Sequence, residues 1–163
     1  MTSGDYQPYG DQPYGYPGGY QPAGLRPGGL LTRFFARFID GMIVGIAGFF
    51  LAFFTDTLSN IWVTGLFTGL LTFVYFLVFE ITQGWTPGKK LLGLRVLGPA
   101  GASKPTAQQS AIRNAWTLLP IIPFVGGLLA FVAIIVIAVT ISGSPTKQGK
   151  HDELAGGTQV AKV

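Results

Sequence analysis

The stretch Leu31–Phe50, LTRFFARFIDGMIVGIAGFF, decides the fold. It opens with two arginines, carries an aspartate about two helical turns after the first of them, and is wholly apolar from there on. A helix needs about 20 mostly apolar residues to cross the hydrocarbon core of a bilayer, and Phe34–Phe54 supplies that length. Charges inside such a segment are rare unless they are paired, reach back to the interface or do chemistry. On a helix Arg33, Arg37 and Asp40 are spaced by four and three and share one face. The first membrane helix therefore starts with a charged face that the rest of the chain has to cover.

Composition agrees. Of 163 residues, 48% are hydrophobic and 11% charged, against about 25% charged in soluble domains, and the mean hydropathy is +0.45. The length fits one integral membrane domain plus a tail. There is no cysteine and a single histidine, which removes disulfides, thiolate chemistry and the usual zinc and copper ligand sets. No cofactor is expected. The net charge of +4 is modest, and the basic residues are sorted along the chain rather than massed into a nucleic-acid surface. They lie before or at the start of the first span (Arg26, Arg33, Arg37), between Lys89 and Arg113, and in the C-terminal tail (Lys147, Lys150, Lys162). Lys and Arg near span ends stay on the cytoplasmic side. The N-terminus, the middle loop and the C-terminus are therefore expected inside, and Asp56–Asn60 outside.

Residues 1–29 alternate Gly, Pro, Gln and Tyr without an aliphatic period, the composition of a disordered cytoplasmic tail. No basic, then apolar, leader is present, so the first span is expected to be an uncleaved anchor. A second span runs from Ile61 to about Ile81. Gly41 and Gly45 in the first span, and Gly65 and Gly69 in the second, are small-xxx-small pairs that suit close helix packing; these faces are expected to meet. Gly84-x-x-x-Gly88-Lys89 is one residue too short for a phosphate loop and is followed by Lys90 rather than Ser or Thr, so nucleotide binding is rejected. Leu92–Leu97 has the pattern of a short strand, Lys104 and Pro105 are candidates to begin a return strand, and Thr106 is a helix N-cap candidate. The last apolar block, Ala115–Ile141, is interrupted by Pro120, Pro123 and Gly126-Gly127. Broken there, it gives helices near Thr106–Leu119 and Gly127–Ile141 and returns the tail lysines to the cytoplasm. The expected architecture is thus an all-α bundle of four membrane helices with a small cytoplasmic β element, three spans being the alternative. In the hairpin topology Gly157–Val163 can pair with Leu92–Leu97.

Four motifs stand together in order: Arg33-x-x-x-Arg37-x-x-Asp40, Thr86-Pro-Gly88-Lys89 leading to Leu94-Arg95-Val96, Arg113-Asn114, and His151-Asp152-x-x-Ala155-Gly156. Over about residues 30–163 the chain resembles the RDD family of small bacterial membrane proteins, named for one arginine and two aspartates. The resemblance implies that Arg33 is the family arginine and that Asp40 and Asp152 are the two aspartates. It also implies a multi-pass protein of the bacterial plasma membrane. It fixes architecture better than activity, since the family is associated with transport and, for some members, sodium/proton exchange.

The charged set Arg33, Arg37, Asp40, Glu80, Gly88, Lys89, Arg113, His151 and Asp152 admits two readings. In the preferred one the chain is a structural or accessory subunit: Asp40 balances Arg37 or Arg113, and Asp152 ties the tail to Arg33. Its partners are then anionic lipid headgroups and other membrane proteins or further copies of itself. In the alternative, a small cation/proton exchanger, Asp40 is a titrating acid reached from both sides in turn, with Glu80 and Arg113 close by. An enzyme is not expected: no serine lies in a nucleophile motif, and His151 and Asp152, adjacent on a helix, point in different directions.

Overall fold

The computed structural model describes residues 25–163. The part of the expected tail covering residues 1–24 lies outside the described residues. In chain order, a two-residue strand β1 (Arg26–Pro27) leads into α1 (Leu30–Phe54), α2 (Ile61–Gln83), a short α3 (Pro87–Leu91) and β2 (Leu94–Leu97). There follow α4 (Ala107–Asn114), a 3₁₀ segment (Ala115–Ile121), α5 (Gly126–Gly143), α6 (Lys150–Leu154) and β3 (Gln159–Lys162). The folded part thus begins earlier than residue 30.

The boundaries follow local chemistry. Asn60 caps α2, its side chain accepting from the amides of Trp62 and Val63. Gly84, at φ 75°, ends that helix in the left-handed conformation that glycine adopts at least cost. Thr86 caps α3, and Pro87 takes its first turn, where a missing N–H does no harm. Thr106 caps α4 as expected, in a reciprocal box with Gln109.

Three helices, α1, α2 and α5, are long and apolar enough to cross a membrane, and their outward residues, from Phe34 to Phe54 on α1 and from Leu128 to Val139 on α5, are extensively exposed. The third expected helix, Thr106–Leu119, is different. It is helical only to Asn114 and then tightens into the 3₁₀ segment, which contains Pro120. Proline removes an amide donor and clashes with the preceding turn of an α-helix. The whole segment runs antiparallel along α2, from Ser110 beside Glu80 to Pro120 beside Gly65. At about 1.5 Å per α-helical and about 2.0 Å per 3₁₀ residue it reaches about 26 Å. Phe124, at φ 65°, then turns the chain into α5.

The glycine pairs do not face each other. A Cβ on Gly65 would lie 2.8 Å from the Pro120 carbonyl oxygen, and one on Gly69 would lie 2.7 Å from the Ile121 side chain. Gly41 and Gly45 have nothing within 4 Å of that position. The second-span glycines thus admit the 3₁₀ segment rather than α1.

The three strands form an antiparallel sheet in the order β1-β3-β2, with Arg26 opposite Lys162, Val96 opposite Val160 and Leu97 opposite Gln159. The last strand pairs with β2, as expected for Gly157–Val163 against Leu92–Leu97. No return strand forms at Lys104–Pro105; Lys104 instead donates from Nζ to the Thr82 carbonyl. Val96 and Val160, both fully buried, join Ala36 of α1 in a small core beneath the sheet. Both ends of the described residues, the sheet and α6 therefore all sit at the start of α1. All eleven Lys and Arg residues lie on elements at or leading to this end.

Gly65→Ala is expected to lower the unfolding free energy in detergent by about 1–3 kcal/mol, the usual cost of overpacking against backbone. Gly41→Ala and Gly45→Ala are expected to be neutral or stabilising, since they add helix propensity in open space. Thermal unfolding of the purified variants checks this; equal losses at Gly41 and Gly65 would contradict it.

Candidate functional site

At the start of α1 one guanidinium gathers three separate parts of the chain. Arg33 donates from Nε to the Gly28 carbonyl at 3.0 Å, from Nη1 to Asp152 Oδ2 at 3.1 Å and from Nη2 to the Val160 carbonyl at 3.2 Å. Asp152 is fully buried in the first turn of α6. It also accepts from the Gly149 amide at 3.2 Å and from Thr158 Oγ1 at 3.3 Å. On its other oxygen, Arg113 Nε of α4 lies 3.3 Å away, close enough for an ion pair. Burial pushes the Asp152 carboxyl up, but Arg113, His151 and Arg33 outweigh it, so the group titrates below the ordinary aspartate range.

Glu80 organises the second group. It too is fully buried. Lys89 Nζ of α3 donates to Oε1 at 2.5 Å, while Ser110 Oγ and Asn114 Nδ2 of α4 donate to Oε2, each at 2.9 Å. Arg113 Nε stands 4.0 Å from Oε1, so this guanidinium lies between Glu80 and Asp152. Burial pulls the Lys89 ammonium down to about 8, against the pull of Glu80 in the other direction.

Asp40 is held differently. Its Oδ1 accepts from the Tyr75 hydroxyl and the Gly88 amide, both at 2.8 Å, and its Oδ2 accepts from Thr86 Oγ1 at 2.5 Å. Among the described residues no basic group forms an ion pair with it. The expected balance of Asp40 against Arg37 or Arg113 is therefore corrected: three neutral donors hold this carboxylate. The Thr86-Pro-Gly88 run explains how. Thr86 supplies a hydroxyl and Pro87 starts the helix. Gly88 permits contact with α1, where a Cβ would stand 2.2 Å from the Ala36 carbonyl oxygen.

Arg37 takes a fourth kind of environment. Its guanidinium carbon lies 3.9 Å from the centre of the Phe76 ring and 4.7 Å from that of Trp116, and it donates to Asn114 Oδ1 at 3.3 and 3.4 Å. Half-buried stacking of this kind is worth about 1–2 kcal/mol.

The structure thus brings Arg33, Arg37, Asp40, Glu80, Gly88, Lys89, Arg113, His151 and Asp152 to one end of the bundle, while Gly41 and Gly45 face away from it. Sequence reasoning missed Tyr75, Phe76, Ser110 and Trp116 as contributors. Two of them left a signal. Tyr75 puts a hydroxyl in the middle of an apolar span, and Ser110 stands three and four residues before Arg113 and Asn114, on the same helix face. Among the described residues no cluster of His, Asp or Glu has the makings of a metal site. Chemically the arrangement can lock helices together and hold one carboxylate by neutral donors.

His151 gives the site a pH dependence. Burial is the largest influence and pushes the imidazole down to about 3, whereas an unfolded histidine titrates near 6.5. Between those values the unfolded state binds the proton and the folded state does not, so stability rises with pH through that window and is level above it. As this is the only histidine, the melting temperature in detergent is expected to fall on acidifying from pH 6.5 to 5, and His151→Gln is expected to flatten that fall. An unchanged slope in the variant would contradict the assignment.

Comparison with curated proteins and with solved structures returns no match. The model of the RDD family matches residues 27–156. That interval runs from β1 to the turn after α6 and includes Arg33, Asp40 and Asp152, and it covers well over half of the chain. The chain belongs to the RDD family.

Proposed function

We propose that this is a multi-pass protein of the bacterial plasma membrane, with both termini cytoplasmic, that serves as a structural or accessory subunit of a membrane assembly and performs no catalysis of its own. The observation that carries the reading is closure: Glu80 and Asp152 spend their buried charges on Lys89, Arg33 and Arg113 of the same chain, and Asp40 is filled by three internal donors. Side chains committed in this way hold small helices in register and leave little freedom for a transport cycle. Orientation is supported by charge, since the basic residues collect at one end and basic ends stay in the cytoplasm. In this topology the segment Ala107–Ile121 is a fourth, shortened pass, because α5 has to return the chain to the end where α1 starts. The apolar outer faces of α1, α2 and α5 meet lipid and neighbouring proteins or further copies, and the basic end meets anionic headgroups.

A second reading, cation/proton exchange through Asp40, is favoured by one feature: this carboxylate within a membrane helix has only neutral groups against it. The two readings part in one experiment. Protein reconstituted in liposomes is expected to show no proton movement when sodium or potassium is added, and its apparent mass on a native gel of gently solubilised membranes is expected to exceed that of a monomer. Cation-driven proton movement that disappears in Asp40→Asn, or a solely monomeric band, would overturn the accessory reading.

A further inference from the structure

Between the first turns of α1 and the last turns of α5 lies a cavity of about 240 Å³. Its walls are apolar: Phe34 and Phe38 on one side, and Ile134, Ile137 and Ala138 on the other. Phe34 and Phe38 are each 57% exposed, and Ile134 is 43% exposed, on faces turned to the surroundings of the bundle. The mouth therefore opens sideways, toward the acyl chains of a bilayer, and not along the axis of the bundle.

The floor is of the opposite character. Arg33, Arg37, Lys89 and Arg113 all line the cavity, and no carboxylate does. Glu80 and Asp152 neutralise part of this charge from behind, but Arg37 has no ion-pair partner among the described residues, only the Asn114 amide and two rings. Counting Asp40, the charged groups gathered here are four cations, Lys89 and Arg113 buried and Arg33 and Arg37 half-buried, and three buried carboxylates. An excess positive charge in surroundings of low polarity is costly until an anion joins it. Three buried donors beside the floor also lack hydrogen-bond acceptors: Arg113 Nε and Nη1, on a residue only 2% exposed, and Trp116 Nε1. Buried donors of that kind are otherwise almost always satisfied.

We propose that the cavity binds an anionic amphiphile of the bilayer, its carboxylate or phosphate accepting from Arg113 and Trp116 beside Arg37, and its acyl chain leaving between α1 and α5. The volume is below the range of about 300–1,000 Å³ typical of sites that enclose a whole ligand. It takes a headgroup and the nearest methylenes, and the rest of the chain stays in the membrane. The inference rests on membrane insertion of α1 and α5 and on neither role proposed above.

Trp116 reports on it directly. In the full chain carrying Trp62→Phe and Trp85→Phe, Trp116 is the remaining tryptophan. Dibromostearate added to the detergent-solubilised protein is expected to quench its fluorescence saturably, at concentrations at least tenfold below those needed for dibromostearate methyl ester, and oleate is expected to reverse the quenching. Lysophosphatidic acid is expected to compete as oleate does, and millimolar inorganic phosphate is not. Ala138→Phe, which fills the wall, is expected to abolish saturable quenching. Equal quenching by acid and ester would mean that Trp116 merely touches detergent, and displacement by free phosphate would mean a small-anion site; either overturns the proposal. The acid–ester comparison needs no cavity variant, so it stands even if Ala138→Phe does not fold.

Discussion

The carboxylate of Asp152 is the point on which the two ends of the described part of the chain meet. It is buried, it sits between Arg33 and Arg113, and it takes further donors from Gly149 and Thr158. Two charges removed from water bring no large gain over apolar residues of the same shape, but leaving one of them alone costs about 3–5 kcal/mol. The pair is therefore better understood as a device for specifying one arrangement than as a source of stability. Arg33 reads three things at once: the carbonyl before α1, the carboxylate of α6 and the carbonyl of β3. A lysine carries its three donors on one nitrogen, whereas the planar guanidinium presents a different nitrogen to each acceptor.

The same logic extends inward. Glu80 joins α2 to α3 and α4 through one ammonium, one hydroxyl and one amide, and Asp40 fastens the start of α3 to α1. Each acidic residue thus serves a different junction, and Arg113 spans two of them. With only the small core beneath the sheet among the described residues, the helices of this bundle are oriented by polar contacts gathered at one end, while the rest of their length offers lipid a nearly continuous apolar surface. Polar contacts of this kind are how membrane helices acquire specificity when lipid is as apolar as their side chains.

Much of this was legible from sequence, and the reason is physical. Apolar runs longer than 18 residues have few other fates, so α1 and α2 were placed to within a few residues. Thr106 announced its helix by residue type, and the alternation in Leu92–Leu97 together with a returning tail sufficed to pair β2 with β3. What escaped was partner choice. The spacing of Arg33, Arg37 and Asp40 says that they share a face, not that Arg37 turns to Phe76 and Trp116 while Asp40 turns to Tyr75 and Thr86. Nothing local in the glycine pairs says which neighbour they admit, and Gly65 and Gly69 proved to receive the 3₁₀ segment. The third helix departs from a regular α-helix only after Asn114, in the 3₁₀ segment that contains Pro120, whose missing amide and ring disfavour a continued α-helix.

If burial of Asp152 between two guanidinium groups is what holds the ends together, its charge and not its shape should matter. Hydrogen exchange at the β3 amides, compared between the native chain and Asp152→Asn in the same detergent, isolates that charge. The account predicts that protection across Gln159–Lys162 falls by about 100-fold or more, while the amides in the middle of α2 are little changed. Protection of β3 equal to that of the native chain would contradict it, and would assign closure of the ends to the sheet alone.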